Sequence, residues 1–120
     1  MLYALLFCNA PHTQIPEAER DATIGATLAD MVAWREAMQR AGVYRSGLRL
    51  APVETATSLR SEDGGVLVTD GPFAETKEIL GGLVVIECAD RDEALAWARR
   101  CPIVRFGTVE VRPEWDAGSS

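Results

Sequence analysis

The sequence predicts an α+β domain in which two helices pack on an antiparallel sheet. A continuous apolar run over residues 1–8, bounded by Asn9, has the length of a buried strand. An amphipathic pattern over residues 17–41 has the period of a helix. A turn-rich centre then leads into a second strongly apolar strand over residues 79–89. Such a mixture of strand and helix patterns is typical of a sheet with helices on one face.

The first helix has clear signals at both ends. Pro16 precedes it, acidic residues occupy its first turn, and Gly42 is suited to end it. At 100° per residue, one face of this helix collects apolar side chains, with Arg35 in the middle of the stripe. The apolar members of that face are Ile24, Leu28, Met31, Val32 and Met38.

The centre of the chain predicts three further strands. Residues 43–50 form the first of them, and Pro52 separates it from a second extended piece over residues 55–60. The turn sequence at 61–65, Ser-Glu-Asp-Gly-Gly, predicts a hairpin that returns along residues 66–69.

The last part of the chain predicts a short helix and an edge strand. Asp90 has the character of an N-cap, and Glu93 completes a capping box for a helix that runs to Arg100. Pro102 ends this helix, and residues 106–112 alternate as a final strand. The order of elements is the split βαβ plan of ferredoxin-like βαββαβ domains with an added β-hairpin.

Composition limits the organisation and the functional class. The 120 residues predict one domain over 1–113, followed by a flexible tail over 114–120. A net charge of -6 with a single lysine disfavours nucleic-acid binding, which needs clustered cations. No apolar run is long enough to span a membrane and no signal sequence is evident, so a cytoplasmic protein is expected.

The three cysteines do not form a recognisable redox or metal motif. Cys8 and Cys88 lie in strand-like runs and are expected to be small buried thiols. Cys101, which precedes Pro102 at a helix end, is expected to be exposed. No metal site and no cofactor site is predicted.

Two of the predicted strands are apolar on both faces. In residues 3–7 and 83–86 the alternation that marks a half-exposed strand is missing, and these strands occupy the middle of a ferredoxin-like sheet. Two helices can cover only one face, so the second face needs another cover. A second copy of the chain, packed sheet on sheet, is the simplest one and predicts a homodimer. The alternative is that the hairpin over 55–69 folds back onto this face.

The most specific motif lies between the hairpin and the last apolar strand. Residues 70–78 read Asp-Gly-Pro-Phe-Ala-Glu-Thr-Lys-Glu and are followed by Ile-Leu-Gly-Gly-Leu-Val-Val-Ile-Glu. With Trp97-Ala98 and residues 109–113, this motif resembles the DGPF group of YCII-related proteins over about residues 1–113. The resemblance implies a ferredoxin-like fold, a dimeric α+β barrel, and ligand clefts between the sheet and the loops at its rim.

The motif loop supplies the candidate site residues. Asp70 and Glu75 are candidate acid/base groups, and an unknown small molecule is the expected partner. The candidate ligand-binding residues are Arg35, Phe73, Thr76 and Lys77.

A purely structural interpretation of these residues is also open. Asp70 would then cap its own turn, Phe73 would fill the core, and Glu75, Lys77 and Glu78 would form a solvated ion-pair cluster. Arg35 would extend along its helix to reach water, or pair with Asp70.

Three functions are compatible with these residues. A branch of the family carries a helix histidine suspected of catalysis, but an ungapped count places Asp30 at that position, and the only histidine, His12, lies in a loop. We therefore expect a dimeric small-ligand-binding or regulatory module. The resemblance implies a link to extracytoplasmic-type sigma factors. The alternative is a cofactor-free enzyme that uses Asp70 or Glu75 as base, and a docking role for the charged loop is a third possibility.

Overall fold

The computed structural model describes residues 1–9, 17–74 and 76–116, with only the backbone described over 17–26. His12, Glu75 and residues 117–120 lie outside the described residues. Two short 3-10 helices, Val53–Thr55 and Pro102–Arg105, join longer elements. The strands and α-helices are β1 Leu2–Asn9, α1 Glu17–Arg40, β2 Tyr44–Arg49, β3 Thr57–Glu62, β4 Gly65–Asp70, β5 Ile79–Glu87, α2 Arg91–Arg99 and β6 Thr108–Pro113.

Four strands form one antiparallel sheet in the order β2-β5-β1-β6, and β3 and β4 form a separate two-stranded sheet. The predicted α+β class with two helices is confirmed. The two strands without polar alternation, β1 and β5, pair with each other at the centre of the larger sheet. The strongest apolar runs thus take the positions with most strand neighbours, because both of their edges are hydrogen bonded.

Both helices pack on the same face of this sheet. Trp34 of α1 lies edge-on to Phe7 of β1 with ring centroids 5.8 Å apart, and its Nε1 donates to the Trp97 carbonyl of α2 at 3.1 Å. The predicted capping box of α2 forms with one difference: Asp90 Oδ1 accepts from Glu93 N at 2.9 Å, whereas Glu93 Oε2 accepts from Ala89 N, one residue before the N-cap, at 2.8 Å. The core between helices and sheet includes Tyr3, Leu5, Trp34, Met38, Val84, Ile86, Ala94 and Ala98.

The predicted apolar face of α1 is displaced around the helix axis. The buried positions are Trp34 and Met38, with Met31 packed beside them, whereas Leu28 and Val32 are exposed. The bulky indole of Trp34 takes the place facing the sheet, and Leu28 and Val32 fall on the neighbouring stripe. The side chain of Ile24 lies outside the described residues. Neither helix, over the part of the chain that the structure describes, is long and apolar enough to cross a membrane.

The cysteine expectations are partly wrong. Cys101 is 2 % exposed, and its Sγ lies 3.9 Å from Met31 Sδ. The thiol belongs to the core cluster and packs beside Met31 of α1, and burial raises the pKa of Cys101 to about 11. Cys88 is buried as expected, but Cys8 is only half-buried because it lies on the face opposite the helices.

The second face of the sheet has no cover from the chain's own described residues. Along β1 the odd-numbered residues are buried and the even-numbered ones are partly exposed, and along β5 the parity is reversed. We call this second face the open face. Leu48 of β2, opposite Leu83, is 54 % exposed on it. Its apolar members on the three strands β1, β5 and β2 are Leu2, Ala4, Leu6, Leu83, Val85 and Leu48.

The hairpin forms as predicted but does not fold back onto the open face. Asp63 and Gly64 both have positive φ, 48° and 80°, the geometry of a two-residue type I′ turn. On one side of the hairpin Leu59, Val66 and Val68 are 64 %, 67 % and 59 % exposed. Side chains that covered the sheet would be buried, so the alternative of a hairpin roof within one chain is wrong.

The adjacent glycines of β5 serve two different purposes. The pairing of β1 with β5 shifts between Phe7 and Cys8. Gly81 therefore has no paired residue on β1 and forms a bulge. Gly82 instead lies against β2, where an added Cβ would come 2.8 Å from the Leu48 carbonyl oxygen. Both a bulge and a close backbone approach therefore explain this pair.

We expect Gly82→Ala to destabilise the protein by about 1–3 kcal/mol, because the new methyl group must push β2 away from β5. Gly81→Ala is the matched control, since its Cβ would lie 3.4 Å from Asn9 Oδ1, which is close to an ordinary contact. Urea unfolding monitored by circular dichroism measures both. Equal losses for the two variants would contradict the close approach of β2 at Gly82.

Candidate functional site

The motif loop is fixed to the base of the hairpin. Strand β4 ends at Asp70, and Gly71 has φ 98°, a conformation that favours glycine. The Gly71 amide donates to the Ala56 carbonyl at 2.6 Å, and Ser58 Oγ donates to the Gly71 carbonyl at 2.8 Å. The start of the loop is therefore positioned by the hairpin, as the Asp-Gly-Pro sequence indicates.

Phe73 does not fill the core. It is 87 % exposed, so the structural interpretation of this residue is wrong. The reason is the position of the loop, which leaves β4 at the base of a hairpin that itself lies away from the core. The ring is therefore available to contact a ligand or another chain.

The other candidate residues of the loop face solvent. Asp70, Thr76 and Lys77 are exposed, and Thr76 Oγ1 donates to the Glu78 carbonyl at 2.5 Å. No salt bridge between described residues includes Lys77 or Glu78, so a cluster between these two is absent. Arg35 is exposed on α1, and no hydrogen bond or salt bridge between described residues joins it to Asp70.

The end of the loop is tied to the open face. Glu78 Oε2 accepts a hydrogen bond from Thr108 Oγ1 at 3.0 Å, and Thr108 lies opposite Cys8 in the sheet. Partial burial, together with the carboxylates of Glu110 and Glu78, raises the pKa of Cys8. This end of the open face is thus acidic, because the carboxylates of Glu78 and Glu110 both lie near the Cys8 thiol.

A groove lies at the opposite end of the open face. It encloses about 560 Å³ and is shallow, with an apolar floor made by Leu2 and Val85. Arg45 Nη1 donates to the carbonyls of Gly42 and Tyr44, at 3.0 and 3.2 Å. The complete lining is Met1, Leu2, Arg45, Ser46, Val85, Glu87 and Glu114.

The groove combines groups of both charges on an apolar floor. The Met1 amino group lies 3.3 Å from Glu87 Oε1 and donates to the Cys88 carbonyl at 3.0 Å. A second depression of about 400 Å³ adjoins the groove, because Met1 and Glu114 line both, and the exposed ring of Trp115 forms its wall. Such a surface can bind a small molecule that has an apolar body and polar substituents.

The groove has two carboxylates, those of Glu87 and Glu114. Its lining has no thiol and no imidazole, and no three metal-ligating side chains come together among the described residues.

Sequence reasoning missed this groove because its residues meet only through the register of the sheet. Arg45 and Glu114 are far apart in the chain, and the irregularity between Tyr44 and Ser46 leaves Arg45 without a ladder partner on β5. One feature of the sequence does indicate the groove. The apolar run of β5 ends at Glu87, whose carboxylate lies on the same face of the strand as Leu83 and Val85.

The comparisons with known proteins agree on the fold and the family. The chain is 40 % identical over 116 residues to an uncharacterized protein of Rhizobium meliloti (strain 1021), covering 94 % of this chain and 91 % of that protein. It superposes with a TM-score of 0.52 and 15 % identity on the 5-chloro-2-hydroxyhydroquinone dehydrochlorinase of Burkholderia phenoliruptrix AC1100 in complex with 2,5-dihydroxybenzoquinone, covering 99 % and 97 % of the two chains. The latter is a similarity of fold alone. Residues 1–116 match the YCII-related domain, and the chain belongs to that family, as the motif at 70–78 predicts.

Proposed function

We propose that the protein is a cytoplasmic homodimer that binds a small organic molecule in the groove at the rim of its open face. The observation that carries this proposal is the open face itself, which is apolar at its centre, polar at both ends, and uncovered by the chain's own described residues. A dimer would cover the centre and the end near Cys8, and would leave the groove at the opposite end for a ligand.

The energetics favour self-association. Burial of apolar surface stabilises by about 25 cal/mol per Å², so covering the central Leu and Val side chains contributes several kcal/mol. That gain is comparable to the whole stability of a small domain. The strand order β2-β5-β1-β6 with both helices on one face supports a ferredoxin-like domain, and two such sheets packed face to face make the dimeric α+β barrel.

The groove supports binding of a polar small molecule. Arg45 supplies hydrogen-bond donors for an anionic or carbonyl oxygen, while Glu87 and Glu114 accept from hydroxyl or amino groups. A partner sheet above Leu2 and Val85 would exclude water from the apolar floor and would strengthen these polar contacts.

The motif loop is the second part of the proposal. Phe73, Thr76, Lys77 and Arg35 are proposed ligand contacts; all four are exposed, and Thr76 Oγ1 already donates to the Glu78 carbonyl. Asp70 and Glu75 remain the acid/base candidates of the alternative function.

The alternative is a cofactor-free enzyme, and the fold neighbour from Burkholderia, a dehydrochlorinase, is the observation that favours it. Acid/base catalysis needs a shielded group, whereas Asp70 and Lys77 are exposed in the single chain. Binding without turnover is therefore the first proposal. A regulatory link to an extracytoplasmic-type sigma factor stays a prediction from the family resemblance.

We expect Leu6→Glu to convert the homodimer into a monomer. Leu6 lies at the centre of the open face, between Leu83 and Glu110. In the dimer, the new carboxylate would be buried beside that of Glu110. Sedimentation velocity at micromolar concentration measures the change.

Val104→Glu is the matched control, since Val104 is also an exposed apolar residue but belongs to a 3-10 helix outside the sheet. It should remain dimeric. A wild-type protein that is already monomeric, or a dimeric Leu6→Glu variant, would contradict the proposed homodimer.

We expect native mass spectrometry of the purified protein to show a copurifying small molecule that is lost in Arg45→Ala. Arg45 carries the positively charged side chain of the groove. Losing a hydrogen bond from this guanidinium should weaken binding of an oxygen-bearing ligand at least about tenfold. Arg91→Ala, an exposed arginine at the start of α2, is the control and should retain the adduct. If both variants retained the small molecule equally, Arg45 would not be part of the binding site.

A further inference from the structure

The β3–β4 hairpin has an apolar side that nothing in its own chain covers. Leu59 pairs with Val68 and Ser61 pairs with Val66, so Leu59, Val66 and Val68 share one side of the ribbon. Every described residue of β4 is exposed, and each of these three side chains keeps more than half of its surface.

An isolated two-stranded ribbon in water is marginally stable, because it gains hydrogen bonds but buries little apolar surface. The hairpin nevertheless carries a strict six-pair ladder and a well-formed I′ turn. The sequence thus specifies the ladder and the turn, and it also places three aliphatic residues on one side of the ribbon. An exposed apolar side of this kind is typical of a surface that packs against another molecule.

Phe73 belongs to the same unit. The hydrogen bonds from Gly71 N to the Ala56 carbonyl and from Ser58 Oγ to the Gly71 carbonyl fix the motif loop to the hairpin base. We call residues 57–73 the arm. Its exposed apolar residues are the three aliphatic side chains on one side of the ribbon, Leu67 on the other side, and Phe73.

We infer that the arm docks on a second copy of this chain, where its apolar side and Phe73 extend the contact made by the open face. This inference rests on the proposed homodimer. The chain joins the two apolar surfaces directly: Leu48 of β2 and Leu50 just after it are exposed, and the short 3-10 helix Val53–Thr55 leads from there into the arm. Leu50 N donates to the Gly81 carbonyl at 2.9 Å, which holds this connection against β5.

The open face alone is smaller than the surface that a stable interface needs. From the usual strand spacing and rise, four strands present a face of roughly 500 Å². A stable interface takes about 800 Å² from each partner. The two strands of the arm add roughly 200 Å² by the same measure, before Phe73 is included.

The shape of the chain is consistent with an arm that reaches a neighbour. The radius of gyration is 16.7 Å, against about 14 Å for a compact domain of this length. The thickness is only 19 Å across a body of 50 by 48 Å. A flat chain with a projecting ribbon can overlap a partner that is stacked on its open face.

The arm gives Phe73 a role beyond the core residue and the ligand contact that the sequence predicts for it. Phe73 becomes an intersubunit anchor, neither a core residue nor solely a ligand wall. Aromatic anchors that fill a partner's surface are frequent hot spots of association.

The test compares dimer dissociation constants by sedimentation equilibrium. We expect the double variant Leu59→Ser/Val68→Ser and the single variant Phe73→Ala each to weaken the dimer at least about tenfold, the effect of losing one buried anchor. Leu67→Ser, on the opposite side of the same ribbon, is the matched control and should stay within about twofold of wild type. All four side chains are exposed in the single chain, so folding of the variants should be unaffected.

A second measurement does not depend on substitutions. Amide hydrogen exchange over residues 57–70 should slow in the wild-type protein as its concentration rises through the dissociation constant. Unchanged exchange there, while the amides of β1 stay protected, would overturn the inference.

The outcomes separate the arm from the proposed homodimer. If arm variants dimerise like wild type while Leu6→Glu is monomeric, the inference fails and the homodimer stands. If wild type is monomeric, both fail. If the arm variants keep the dimer but lose a different bound protein, the arm serves that protein and the inference is overturned.

Discussion

The structure depends on the two central strands being apolar on both faces. Only one of those faces packs on α1 and α2, and on the other face Leu6 and Leu83 are neighbours with no helix above them. A sheet that is apolar on both faces needs a layer on each, and the single chain supplies the helix layer on one face. The groove, the acidic rim near Cys8 and the projecting hairpin are all arranged around the missing second layer.

The fold could be predicted because its signals are local. The capping box at Asp90, the positive-φ positions at Gly42 and Gly64, and the lengths of the apolar runs each follow from neighbouring residues. The orientation of α1 could not be predicted as well. Apolar residues lie on two adjacent stripes of that helix, and only the packing of Trp34 against Phe7 decides which stripe faces the sheet.

The candidate site was predicted less completely, for reasons of tertiary structure. The motif loop and its exposed carboxylate could be identified from Asp70-Gly71, but the exposure of Phe73 depends on a hairpin that lies away from the core. Arg45 meets Glu114 only through the strand register, a long-range property that one sequence does not reveal. Cys101 was misjudged because its thiol packs beside Met31 of α1, a long-range contact.

Alkylation of Cys8 as a function of protein concentration tests the central claim most directly. Cys8 lies half-buried on the open face, while Cys88 and Cys101, on the helix side of the molecule, are buried internal controls. The account predicts that Cys8 is modified quickly in dilute protein and much more slowly above the dissociation constant, with the two buried thiols slow throughout. Modification of Cys8 at one rate across all concentrations would contradict a covered open face.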